Sequence, residues 1–175
     1  MTATDNAPDT LIDQIRDRHG ARIADVVRDR GQVTLVVNPE DAHDILASLR
    51  DDYGFDFPVD LSAVDYRDWP VEGEHPERFA VVYMLSSLAR NKRLRVKAYL
   101  NELEPSIRST ADLFGCNDWL EREVYDMYGI RFTGHPNLIR ILCPDNLKGH
   151  ALRKEYPLTG RGEREDFPVY HTDQP

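Results

Sequence analysis

Apolar residues recur along the first half of the chain at the three- and four-residue spacing of amphipathic helices. One such stretch begins near Thr10 and ends at Gly20, with Ile12 and Ile15 on its apolar face. A second helix is predicted after Asn38 as its cap and Pro39 in its first turn. Its buried face would consist of Ala42, Ile45, Leu46 and Leu49.

Other segments show the two-residue alternation or short apolar runs of β-strands. These segments are residues 23–27, 33–37, 59–66, 79–88 and 94–100. The order helix, two strands, helix, three strands predicts an α+β fold. We expect a two-layer α/β sandwich with a mixed sheet of about five strands and helices on one face, followed by an extended C-terminal docking arm.

The composition changes after the fifth predicted strand. No strand is predicted beyond Glu102, and from Gly129 onward Gly, Pro, His and Arg dominate. We therefore divide the chain into a flexible N-terminus (residues 1–9), a compact α+β domain (10–130) and an extended C-terminal arm and tail (131–175). Irregular backbone with large apolar side chains needs hydrogen-bond partners and a surface to bury against. The arm is therefore expected to dock on another subunit.

A third helix is predicted to begin at Asp118 and to end at Tyr128, before a left-handed Gly129. Asp118 and Glu121 have the spacing of a capping box, in which the two side chains satisfy backbone N–H groups of the first turn. The charged residues of this helix are predicted to lie on a solvated face. They are Glu121, Arg122, Glu123 and Asp126.

Charge and hydropathy exclude several classes of function. The 31 acidic and 22 basic residues give a net charge of −9, which argues against nucleic acid as a partner. The longest apolar run, residues 79–85, is far shorter than the ~20 residues of a membrane helix, so no membrane span is predicted. Residues 1–9 do not resemble a signal peptide. The two cysteines are expected to be free thiols.

Catalytic and metal chemistry have weak support in the sequence. Cys116, His135, Cys143 and His150 are spaced unlike any zinc-binding pattern. Glu123 and His135 could serve as acid and base of a stand-alone hydrolase, but no nucleophile is placed beside them. We keep the hydrolase as a less favoured alternative and predict no catalytic, cofactor-binding or metal residue on this chain.

A cluster of cations lies around the predicted hairpin of residues 79–100. Its members are Arg90, Lys92, Arg93, Arg95 and Lys97. The favoured interpretation is an edge strand whose charges block unwanted strand pairing. The alternative is an electrostatic contact with an acidic partner.

The third helix and the segments after it resemble a known family, the C-type (30-kDa-type) subunit of bacterial NADH–quinone oxidoreductase, or respiratory complex I. The matching segments are Glu121-Arg122-Glu123, Asp126 to Ile130, Phe132, Gly134-His135-Pro136, Gly149-His150, Leu152-Arg153-Lys154 and Tyr156-Pro157. Residues 60–66 resemble the family's central strand, and residues 80–88 the next one. The resemblance extends from about residue 10 to residue 158.

This resemblance implies a peripheral-arm subunit of a proton-translocating complex on the cytoplasmic side of the cell inner membrane. FMN, Fe–S clusters and quinone would lie on partner subunits, with no cofactor on this chain. The partners would be the D-type subunit, which holds the quinone site, and neighbouring peripheral-arm subunits. The predicted interface and arm-positioning residues are Glu121, Arg122, Glu123, Asp126, His135, Arg140, His150, Arg153, Lys154 and Tyr156. An equivalent subunit of a membrane-bound hydrogenase, or of an F420- or ferredoxin-dependent complex, remains the alternative.

Overall fold

The computed structural model describes residues 10–70 and 75–162. The predicted flexible N-terminus, residues 1–9, and the tail beyond residue 162 lie outside the described residues. The elements in chain order are α1 (Thr10–His19), β1 (Ile23–Asp29), β2 (Gln32–Val37), α2 (Ala42–Asp51), β3 (Phe57–Asp65), β4 (Phe79–Ser87), β5 (Lys92–Leu100), β6 (Ser106–Arg108), α3 (Asn117–Tyr128) and β7 (Arg131–Thr133).

The main sheet has five strands in the order β1-β2-β5-β4-β3. The pairing of β2 with β5 is parallel, and the other three pairings are antiparallel, so the predicted mixed sheet is confirmed. Alternation along β5 sends Leu94, Val96, Ala98 and Leu100 into the core.

The helices cover one face of this sheet, as predicted. Ile15 of α1 and Leu46 of α2 are fully buried, and Val124 of α3 joins them in one hydrophobic core with Leu35 and Tyr83 of the sheet. The four predicted contact positions of α2 are also fully buried, as the spacing of its apolar residues requires.

Two short strands were not predicted. β6 and β7 pair in parallel to form a small second sheet, with Ile107 opposite the buried Phe132. Each strand has only three residues, which is too short for alternation to be visible in the sequence. The expectation that no strand follows Glu102 is therefore wrong, and the compact domain continues past residue 130 to Thr133.

The predicted starts of two helices are also wrong. α2 begins at Ala42, and the side-chain amide of Asn38 donates to the carbonyl of Ala21 instead of capping the helix. α3 begins at Asn117 after Cys116, so Asp118 lies inside the helix and Glu121 turns into the core. The predicted C-terminus is confirmed, because Gly129 has φ 73° and its N–H donates to the carbonyl of Tyr125.

The cationic strand β5 is not an edge strand. It lies between β2 and β4 and forms backbone hydrogen bonds with both. The parallel β2–β5 pairing, which follows from how the chain crosses the sheet, places β5 in the centre. Blocking of edge-to-edge pairing therefore does not explain its arginines and lysines.

Candidate functional site

The segment after β7, residues 134–162, which we call the arm, lies along α3 and one end of the main sheet. Asp126 of α3 is the first point at which the arm is fastened. Its fully buried carboxylate accepts the backbone N–H groups of Ile141, Leu142 and Cys143 at 3.0, 2.8 and 2.8 Å. The guanidinium of Arg140 donates to the other oxygen at 2.9 Å.

These donors determine the charge state of Asp126. Burial alone would raise the pKa of the carboxyl group, but the three backbone N–H groups and Arg140 outweigh burial and lower the pKa. Asp126 is therefore an ionised side chain that organises a turn of the arm. Its prediction as a solvated residue is wrong, because the arm folds over it.

The C-terminus of α3 is the second point of attachment. The last carbonyl groups of a helix have no partner within the helix. Here the Nδ1 of His150 donates to the carbonyl of Asp126 at 2.9 Å, and the N–H of Leu152 donates to Met127 at 3.0 Å. The Nε of Arg153 donates to the carbonyl of Tyr128 at 2.6 Å. The arm thus caps α3, and the positive charge of Arg153 lies where the helix dipole favours it.

Gly129 is required at this attachment for two reasons. Its positive φ of 73° favours glycine, and the arm passes very close to it. A Cβ at this position would lie 2.5 Å from Nε2 of His150 and 2.8 Å from Nη2 of Arg153. The glycine that ends the helix is therefore also the residue that lets the arm approach. Burial lowers the pKa of His150, which agrees with a neutral ring donating to a carbonyl.

A buried ion pair at the end of the sheet is the third point of attachment. Arg78 forms a two-pronged contact with Asp65, with Nε–Oδ1 and Nη2–Oδ2 distances of 2.9 and 2.8 Å. The N–H of Lys154 donates to Asp65 at 2.9 Å, and Glu155 pairs with Arg78. Burial would raise the pKa of Asp65, but Arg78 and the backbone donors outweigh burial and lower it. Asp65 and Arg78 are separated by 13 residues, which matches no recognisable spacing, so their pairing could not be predicted from the sequence.

Glu121 belongs to a buried polar group inside the domain. Its carboxylate accepts the hydroxyl of Ser109 at 2.6 Å and both the N–H and the hydroxyl of Thr110, at 2.6 and 2.7 Å. Burial raises the pKa of Glu121 despite these donors. The group fixes the strand β6 and its following turn to α3, so the predicted capping role of Glu121 is wrong.

His135 lies beside this group with its side chain fully buried. Its Nε2 is 3.1 Å from the carbonyl of Asp118 and 4.0 Å from the carboxylate of Glu121. Glu123 is exposed on α3 and forms no hydrogen bond with His135. The acid–base pair of the hydrolase alternative is therefore not assembled.

The predicted interface residues thus have three different environments. The side chains of Glu121, Asp126 and His135 are buried within this chain, and Asp126 positions the arm. Five other residues attach the arm to its own domain. Arg122 donates to the carbonyls of Ile139 and Arg140. The other four, through the contacts described above, are Arg140, His150, Arg153 and Lys154.

Two predicted interface residues, Glu123 and Tyr156, are neither fully buried nor bonded to the domain through the contacts above. Glu123 is exposed, whereas Tyr156 is half-buried within the arm, below the guanidinium of Arg161 at 5.2 Å from its ring.

Several large apolar side chains lie on the outward side of the arm. Leu142 is 61% exposed and Leu152 is 51% exposed, although the backbone N–H of each is bonded to the domain. Ile139 and Leu158 are exposed as well, and so is Trp119 on α3. The arm therefore uses polar groups for its own attachment and presents large apolar side chains to its surroundings.

Metal-ligand clusters and membrane-spanning helices are both absent from the described part of the chain. Among residues 10–70 and 75–162, no group of three or more His, Cys, Asp or Glu side chains could hold a metal ion, and Cys116 and Cys143 are free thiols. No helix within these residues is both long and apolar enough to cross a membrane.

Comparison with known proteins identifies the family. The sequence model of the family described as "Respiratory-chain NADH dehydrogenase, 30 Kd subunit" matches residues 35–162. A protein from Citrifermentans bemidjiense, named as the C-type subunit of NADH-quinone oxidoreductase, is 46% identical over 84% of this chain and 88% of its own length. The protein of the same name from Trichlorobacter lovleyi is 41% identical over 86% of this chain and 90% of its own length.

Solved structures agree with this result. A trypsin-resistant fragment of Nqo5 is 33% identical and covers 74% of this chain and 98% of the fragment, with a TM-score of 0.66. A chain of an archaeal membrane-bound sulfane sulfur reductase has the same fold, with a TM-score of 0.72 at 19% identity over 95% of each chain. The chain therefore belongs to the respiratory-chain NADH dehydrogenase 30-kDa subunit family and is a homologue of the C-type subunits of NADH–quinone oxidoreductase.

Proposed function

We propose that this chain is a structural subunit of the peripheral arm of NADH–quinone oxidoreductase, on the cytoplasmic side of the inner membrane. In this proposal the apolar outward side of its arm docks on the D-type subunit, and FMN, Fe–S clusters and quinone are held by partner subunits. Its contribution to electron transfer is mechanical, because a rigidly docked subunit keeps the distances between clusters and quinone fixed.

The observation that carries the proposal is that the backbone of the arm is bonded to its own domain, whereas large apolar side chains of the arm are exposed. Its backbone is already fastened by Asp126, by the end of α3 and by Asp65. A segment held in its bound conformation loses little conformational entropy on association, so the apolar area it buries contributes more fully to affinity. Leu142 and Leu152, exposed on this prearranged segment, are the contacts that a neighbouring subunit would cover. A stable interface of this kind buries about 2,000 Å² or more.

The experiment is the double substitution Leu142→Asp/Leu152→Asp in the bacterium's own complex. Both side chains are exposed in the lone chain, so the isolated subunit should melt at an unchanged temperature. We expect the purified complex to lose this subunit and its NADH–quinone activity. Leu88→Asp, at a leucine of the β4–β5 hairpin that is 73% exposed, is the matched control and should be retained. Full retention of the arm variant with normal activity would refute the proposal.

A second experiment, by cross-linking, identifies the partner. With p-benzoyl-phenylalanine in place of Leu142, illumination of the intact complex should join this chain to the D-type subunit. A product with a different subunit would refute the choice of partner, and a nickel–iron module among the copurifying chains would favour the hydrogenase-type assembly.

A further inference from the structure

The face of the main sheet opposite the helices, which we call the open face, has side chains that do not belong to the hydrophobic core. The register places them in cross-strand rows, such as Thr34-Arg95-Met84-Asp60 and Val36-Lys97-Val82-Ser62. The aromatic side chains of Tyr66 and His75 pack near Tyr99 at one end of this face. Half-buried or exposed apolar residues also lie on this face, namely Val36, Phe57, Val64, Val82 and Met84. Exposed carboxylates lie on its two edge strands, Asp25 and Asp29 on β1 and Asp60 on β3.

Three cations, Arg93, Arg95 and Lys97, run along the centre of the open face. Among residues 10–70 and 75–162, no ion pair joins any of them to a carboxylate. Arg95 donates to the amide oxygen of Gln32 at 2.5 Å, and Lys97 donates to the hydroxyl of Tyr66 at 2.8 Å.

The cross-strand neighbours of these cations are neutral. They are Ser86, Met84 and Val82 on β4, and Thr34 and Val36 on β2. A row of cations whose direct cross-strand neighbours are all neutral is unusual in a chain with a net charge of −9. Because β5 is the central strand, protection of a sheet edge does not account for the row. A ligand that is both anionic and apolar would match it.

We propose that the open face docks an acidic, partly apolar polypeptide segment of a neighbouring subunit. Carboxylates would pair with the guanidinium groups of Arg93 and Arg95, which can each bind a carboxylate through two N–H groups. The apolar side chains of the same segment would cover Val82 and Met84. This inference rests on the proposed function only in placing the chain in a multisubunit assembly, because the open face and the arm are separate surfaces.

The first experiment maps what covers the open face in the intact complex. Phe57 is 50% exposed, and its pairing with Ser86 places it on the open face in the same cross-strand row as Arg93, with β4 between them. Replacing Phe57 by p-benzoyl-phenylalanine keeps the aromatic ring. We expect illumination to join it to a stretch of another subunit that is rich in Asp and Glu. Cross-linking to lipid, to this chain alone, or to a stretch without acidic residues overturns the proposal, as does the absence of any product.

The second experiment tests the charges. In Arg93→Glu/Arg95→Glu we expect the yield of the Phe57 cross-link to fall by about tenfold or more, because like charges now face each other across the contact. Arg16→Glu/Arg30→Glu makes the same change of charge at exposed positions elsewhere and should leave the yield unchanged. Melting of each isolated variant verifies that the fold is kept. Equal yields in the two variants overturn the proposal.

The Leu142 probe on the arm separates this inference from the proposed function. A Leu142 product without a Phe57 product overturns only the open-face contact. If this chain is absent from every complex, the proposed function fails and this inference fails with it.

Discussion

The substitution Asp126→Asn should release the arm from α3 without unfolding the domain. The aspartate carboxylate accepts three backbone N–H groups of the arm and one guanidinium N–H, and its side chain has no exposed surface. An asparagine of the same shape has no charge, and its NH₂ group must face N–H donors. At least one buried donor then has no acceptor.

The expected cost follows from these contacts. Hydrogen bonds to charged groups contribute about 1.5–3 kcal/mol each, and removing one partner of a buried ionic contact costs about 3–5 kcal/mol. We take about 3 kcal/mol as the loss, which is roughly a hundredfold in the equilibrium between attached and released arm. The effect is local because Asp126 contributes no apolar contact to the core.

Hydrogen–deuterium exchange of the isolated chain measures this loss directly. We expect the amides of residues 141–143 to exchange about a hundredfold faster in Asp126→Asn, by the same estimate, while the amide of Val96 in the central strand is unchanged. Glu123→Gln is the matched control on the same helix, because it removes an exposed carboxylate. If amides 141–143 keep their protection in Asp126→Asn, the carboxylate does not hold the arm and the reasoning is refuted.

Three further predictions concern the same attachments. Because the pKa of Asp126 is lowered by folding, its stabilisation is complete above the pKa of an unfolded aspartate, about 3.9, and is lost as the pH falls through the lower folded value. The protection of the arm amides, measured against an unstructured amide at the same pH, should therefore fall between about pH 6 and about pH 2 in the wild type and change less in Asp126→Asn. Gly129→Ala should destabilise the chain in urea unfolding by more than about 1–2 kcal/mol, which is the cost of the left-handed conformation alone, because the arm occupies the space of the new Cβ. Gly20, with φ 54° and open space around it, is the control, and Gly20→Ala should show only the conformational cost. Equal losses of stability in the two variants would contradict the close approach of the arm to Gly129. Arg78→Met should lower the free energy of unfolding in urea by about 3–5 kcal/mol, because it leaves the buried carboxylate of Asp65 without its partner. The double variant Arg78→Met/Asp65→Asn should lose less stability. A double variant at least as unstable as the single one would argue against this interpretation.

The buried polar residues of α3 show where sequence patterns mislead. Glu121 and Asp126 look like solvated charges because helical spacing sets them beside Arg122 and Glu123. Spacing describes the face of a helix, but it does not state what packs on that face. Here β6 with its following turn covers Glu121, and the arm covers Asp126. No local pattern contains these distant partners.

The same limit applies to the arm. Its Gly, Pro and His content predicted irregular backbone, and residues 134–162 contain no helix or strand. Its apolar residues predicted that the arm docks on a surface, which stays a prediction. The expected surface was another subunit, but the polar groups are first satisfied by the chain itself. Only the tertiary structure separates the inward contacts of Arg140 and His150 from the outward side chains of Leu142 and Leu152.

The sequence by itself determined the helices, the five long strands, the placement of the helices on one face of the sheet and the family, because periodicity and ordered motifs are local properties of the chain. The tertiary structure alone decided that β5 is central, that Asp65 meets Arg78 and Lys154, and that Asp126 holds the arm. These contacts join residues far apart in the chain, and they form only because burial of the apolar core brings their segments together.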